Sequence, residues 1–195
     1  MGGEVGWISG SGVNLSGQKT DNLNAFATAL NGSYEYHKIK GFLEFLYASG
    51  DANATGDHLN GFVILHRNRR PGLILGRELL GPYAGNQVGV GSPVYYGNSG
   101  SFSGVFYLRP GLRVDWSSAW TSGLEVIIAQ KAAVQEGEAR SLGVEVDLGS
   151  DYVLYKNFEI GLNLGYLFPG KGLVAAGAPS PEAPFALRTT ASLKF

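Results

Sequence analysis

Cysteine is absent from the 195 residues, which excludes a disulfide framework and any thiolate metal site. The absence also suits transit through an oxidising periplasm, where stray thiols mispair. Charge is sparse: Asp, Glu, Lys and Arg together make 16% of the chain, and the formal net charge is -1. No basic excess points to nucleic acid, and no acidic block points to disorder. No apolar run approaches the ~20 residues that a membrane-spanning helix needs. A chain like this can cross a membrane only as a closed barrel of strands, which satisfies every backbone group in lipid.

Catalytic patterns are also missing. The histidines are His37, His58 and His66. None has a serine and a carboxylate at motif spacing, and there is no HExxH, P-loop or G-x-S-x-G. His58 beside Asp57 and Asp51 lies in a Gly/Asn/Asp-rich stretch that reads as a solvated turn. The chain is therefore expected not to be an enzyme, and no catalytic residue, cofactor or metal ligand is assigned. Met1-Gly2-Gly3-Glu4 lacks the positive start and apolar core of a secretory leader.

What is present is alternation. Phe158, Ile160, Leu162, Leu164, Tyr166 and Phe168 share one parity, with Glu159, Gly161, Asn163 and Gly165 on the other. Phe185, Leu187, Thr189, Ala191, Leu193 and Phe195 repeat the pattern against Ala186, Arg188, Thr190, Ser192 and Lys194. Leu142, Val144, Val146 and Leu148 do so again, opposite Glu145 and Asp147. A period of two means strands with one apolar and one polar face. Glycine, 30 residues, is about twice its usual share of roughly 7% and suits tight turns and crowded strand positions.

Taken forward, the chain gives a short strand at residues 4–9, a Gly/Ser-rich loop at 11–22, and strands at 23–37 and 39–50. Alternation then lapses over about 51–101, read as a long extracellular insertion; within it, residues 72–81 fit a short helix or an extra strand pair. Strands resume at 102–116, where Pro110 implies an edge or bulge, and at 120–131, followed by the three strands of 142–195. That makes about eight. The links at His37-Lys38, Ser117-Ser118 and Lys156-Asn157 are tight and the others long, the layout of an outer-membrane barrel. Tyr36, Trp116, Trp120, Tyr152, Phe158 and Phe195 fall near the short-turn end, and Phe26, Tyr47, Phe106, Tyr166, Phe168 and Phe185 near the long-loop end. Two aromatic bands around an aliphatic belt match two membrane interfaces.

On this topology the polar face lines the interior. The pore-lining candidates are Glu35, Glu44, Arg109, Arg113, Asp115, Glu125, Glu145, Asp147, Asp151, Arg188 and Lys194, with Lys131 and Glu159 on the same face. Eight strands leave an interior about wide enough for side chains alone, so these groups either pair in a packed core or line water in a wider barrel. Acids outnumber bases, which implies a mild preference for cations. Arg67, Arg69, Arg70 and Arg77 form the basic cluster of the loop, either a solvated face or a contact for lipopolysaccharide phosphates or a pore constriction.

The final strand ends on Phe195 and so resembles the terminal strand of bacterial outer-membrane β-barrels, which implies that the barrel assembly machinery reads Phe195 as its signal. Leu43-Glu44-Phe45-Leu46-Tyr47-Ala48-Ser49-Gly50-Asp51 and Tyr166-Leu167-Phe168-Pro169-Gly170-Lys171-Gly172 resemble segments of alginate-export-type porins. The resemblance implies the C-terminal part of a larger barrel, with no binding residue carried over. The expected fold is thus an all-β, transmembrane, antiparallel up-and-down barrel in one domain, 1–195, either mature or part of a longer protein. The expected setting is the bacterial outer membrane, with outer-membrane lipid, lipopolysaccharide and the assembly machinery as partners, a homo- or hetero-oligomer allowed and no nucleic acid. The expected function is a porin-like channel for small solutes; the alternative is a non-conducting barrel that anchors or binds partners through its loops.

Overall fold

The computed structural model of the chain describes residues 1–13, 19–50, 58–59, 72–75, 104–173, 179–180 and 182–194. The strands in chain order are β1 Gly2–Val13, β2 Lys19–Tyr36, β3 Ile39–Ala48, β4 His58–Leu59, β5 Val105–Asp115, β6 Trp120–Lys131, β7 Ser141–Tyr155, β8 Phe158–Pro169 and β9 Phe185–Leu193. They form one sheet in the order β1-β2-β3-β5-β6-β7-β8-β9, each pair antiparallel, and β4 adds two residues parallel to β2. This is the expected up-and-down meander of eight strands. Among the described residues the sheet is open, with β1 and β9 as its edges.

The tight links stand where expected. His37 and Lys38 make a two-residue turn in which His37 takes a positive φ of 56°, the left-handed geometry that such hairpins require. At the next link the Ser117 hydroxyl accepts from the Trp120 amide at 3.1 Å. Two expectations need correction. Residues 11–13 and 19–22, read as loop, are strand, with Gly12 opposite Thr20 and Val13 opposite Lys19. Glycine, serine and polar residues at a sheet rim lose the alternating signal but keep their ladder partners. Pro110, expected at an edge or bulge, sits in the central strand β5 opposite Leu43. Its missing N–H is accommodated because pairing with β6 skips from Leu108 to Gly111 without changing register.

Register sorts the side chains into two faces. On the outer face Leu112, Leu124, Leu148, Leu164 and Leu187 stand side by side across five strands. Two same-face positions toward the loops, Phe45, Leu108, Ile128, Val144 and Phe168 do the same. Nothing among the described residues covers the leucine row: Leu148 is 51% exposed and Leu187 60%. The aromatics lie where the sequence sorted them. Trp116 and Trp120 meet at 5.8 Å near the short turns, while Phe26 and Tyr47 at 6.4 Å and Tyr166 and Phe168 at 4.8 Å lie toward the loops. Trp7, in a strand longer than its sequence suggested, pairs with Phe26 and joins the loop-side band.

The inner face holds the buried residues. Leu46, Ala48, Val105, Tyr107, Ile127, Ala129, Leu142 and Leu167 make one cluster at the loop end, joined by Ile74 and Leu75. These last two belong to no wall strand. Leu142, read on one face with Val144, Val146 and Leu148, instead turns inward, because the register shift opposite Ala129 and Gln130 breaks the alternation before Gly143.

Candidate functional site

Of residues 72–81, read as a short helix or an extra strand pair, Gly72, Leu73 and Ile74 turn on the inner face and Leu75 is helical, while 76–81 lie outside the described residues. Three successive main-chain amides of the turn point at two wall carboxylates. The Leu73 amide donates to Asp147 Oδ2 at 2.9 Å, that of Ile74 to Glu145 Oε1 at 2.6 Å, and that of Leu75 to Glu145 Oε2 at 2.7 Å. Glu145 is fully buried, and amide donors to a buried carboxylate are the short, strong kind of hydrogen bond that makes such burial tolerable. Gly72 has φ +87°, and a Cβ built there would lie 2.5 Å from Glu145 Oε2. Only glycine fits that approach.

Beside the turn lies a second cluster. Arg109 donates through Nε and Nη2 to the two oxygens of Glu125, at 2.6 and 2.9 Å, and through Nη1 to Glu44 at 3.0 Å. Its guanidinium also stands 5.4 Å from the centre of the Phe42 ring, and the Tyr107 hydroxyl donates to Glu44 at 2.7 Å. The sequence candidates Glu44, Arg109 and Glu125 are thus one ion-pair network across β3, β5 and β6.

Toward the short turns the inner face opens into a cavity of about 360 Å³. Its charged lining is even, Arg109, Arg113 and Arg188 against Glu125, Asp147 and Asp151, so the cation preference expected from the whole face finds no excess of acid here. Arg113 and Asp151 are 4.0 Å apart and about half exposed. Asp147 Oδ1 is buried with no hydrogen-bond partner among the described residues. Glycines 123 and 149 line the same space, and their lack of side chains on the inner face helps to leave it open.

The remaining candidates are spread out. Glu35 is exposed on β2 opposite Lys40, Asp115 accepts from the Thr121 hydroxyl at 2.9 Å, and Lys194 is exposed beyond β9. Lys131 lies 3.9 Å from Glu138, and Glu159 pairs with Ser192. Arg67, Arg69, Arg70, Arg77 and Phe195 lie outside the described residues. Two inner-face residues and the turn itself were not among the candidates: Lys40, whose parity with Glu44 was a usable signal, and Tyr107, which alternation alone marks only as inward. Among the described residues no three metal-ligating side chains come together.

No family model, curated protein or solved structure matches this chain.

Proposed function

We propose that this chain is wall of an outer-membrane β-barrel, and that the barrel is a porin-like channel for passive movement of small solutes. The observation that carries the reading is the inversion of the sheet: a row of leucines across five strands outside, exposed at Leu112, Leu124, Leu148 and Leu187 and half-buried at Leu164, and the ion-pair network and cavity within. Burying one leucine is worth about 1.5–3 kcal/mol, and an uncovered row of them forgoes that in water but not in hydrocarbon. Bands of aromatics above and below the row then sit at the two interfaces.

A sheet in lipid has no tolerated edge. With eight alternating strands, β1 and β9 run antiparallel, so the ring closes between them directly or through further strands, those of a second copy included, with no parallel pair. The resemblance to alginate-export-type porins favours the wider ring. Outer-membrane lipid, lipopolysaccharide and the assembly machinery are the partners this setting entails.

Purified protein in planar bilayers is expected to give stepwise currents, with insertion confirmed by protease protection. Inserted protein that stays silent under every condition removes the channel. That outcome favours the second reading, a non-conducting barrel acting as an anchor or binding partners through its loops, which the full burial of Leu75 inside the sheet supports.

A further inference from the structure

We propose that the 72–75 turn is a plug seated in the bore, and that Glu145 and Asp147 are the latch that holds it. The inference rests on the channel reading and names its regulation. In a sealed eight-strand barrel the wall's own side chains fill the interior. Here strand residues Leu46, Tyr107, Ile127, Leu142 and Leu167 fill only part of the cluster that takes Ile74 and Leu75. Ala29, Ala48 and Ala129 lie in the same cluster, with Ala186 against it. A Cβ on Gly165 would lie 2.8 Å from Asp147 Oδ1 and 3.2 Å from the Leu73 Cβ. Part of the filling thus comes from a segment outside the sheet, and removing it opens space beside those alanines and Gly165.

The attachment is also of a kind that can let go. The three latch bonds run from main-chain amides to Glu145 and Asp147, and among the described residues no ion pair ties either carboxylate to the turn. Displaced, the turn gives its amides to water, and the freed carboxylates join the lining of the cavity, which Asp147 already borders. Plugged and open forms then differ by a few hydrogen bonds and the burial of Ile74 and Leu75, a gap that a voltage, a solute or a partner can bias.

The chain has no cysteine, so Leu73→Cys/Gly165→Cys provides the sole thiols. The separation of 3.2 Å lies just under the usual Cβ–Cβ range of a disulfide, roughly 3.5–4.5 Å, a difference of a few tenths of an ångström. Three results are expected. The pair oxidises to a disulfide in inserted protein. Oxidation abolishes the current that the same variant passes before oxidation, and reductant restores it. Glu145→Ala/Asp147→Ala raises open probability at least about tenfold, as loss of the three hydrogen bonds implies, and adding the oxidised pair to that variant closes it again. Thiols that stay free overturn the seat of the plug. Current unchanged by both the disulfide and the latch variant, in a wild type that conducts, overturns the plug and leaves the channel standing. A disulfide that forms in protein silent in every variant overturns the channel itself, and the plug with it.

Discussion

Leu148→Arg is expected to destabilise the inserted protein by about 2–4 kcal/mol, the cost of a cation at mid-depth on the lipid face of a barrel. Leu148 stands in the middle of the leucine row, flanked by Leu124 and Leu164. The nearest polar groups of the outer face are the neutral Ser122 and Ser150 hydroxyls, already bonded to each other and to Trp120 Nε1, so an arginine finds no counter-charge there and must reach toward an interface. Depth separates this from simple loss of packing. Leu193→Arg, on the same face at the short-turn end opposite Phe158, is expected to cost about 1 kcal/mol or less, because the interface is within reach. Urea unfolding from lipid vesicles, followed by tryptophan fluorescence, measures both. Equal costs at the two positions would point to a protein partner over the row, not to hydrocarbon.

Arg109→Met is expected to cost about 3 kcal/mol, at the lower end of the range for breaking a buried ion pair because the three side chains keep some exposure. The guanidinium is the one group that bridges Glu44 and Glu125, whose side chains are 16% and 28% exposed. Without it two carboxylates face each other across β5, and Glu44 keeps only the Tyr107 hydroxyl among these contacts. The loss therefore comes from stranded charge, not from the missing methylenes. The triple variant Arg109→Met/Glu44→Gln/Glu125→Gln is expected to recover most of it, since replacing every member of a buried ionic cluster is often neutral. The same unfolding experiment reads the recovery. By contrast Arg113, about half exposed and 4.0 Å from Asp151, belongs to the class of exposed pairs that contribute little.

Much of the sheet was legible because alternation is imposed by burial of one face, and that signal survives without any knowledge of neighbours. The strand at Trp120–Lys131 and the turns at His37-Lys38 and Lys156-Asn157 follow from it directly. It fails where both faces are alike. Gly10 and Gly12, on either side of a register shift, carry no side chain to sort, so β1 and β2 run further toward the loops than their pattern indicates. The charged network was half legible: parity put Glu44, Arg109 and Glu125 on one face, but their joining depends on the stagger of three strands. The latch was not legible. Glu145 and Asp147 bind main-chain amides, which every residue but proline possesses and no motif advertises. The nearest clue was the run of alanines on the inward parity of β2, Ala25, Ala27 and Ala29, small residues that leave room for side chains from elsewhere in the chain.

The claim on which the rest stands is that the outer face meets hydrocarbon and the inner face does not. With no cysteine in the chain, single spin labels can be placed in turn at residues 144 to 151 of β7 in protein reconstituted into vesicles. Collision with oxygen, which concentrates in lipid, and with a water-soluble nickel complex is then measured at each site. Oxygen maxima are expected at Val144, Val146 and Leu148, with minima at Glu145, Asp147 and Gly149, and nickel access rising at Asp151. Labels at Val146 and Leu148 that meet nickel as readily as oxygen, or that neither reagent reaches, would contradict it.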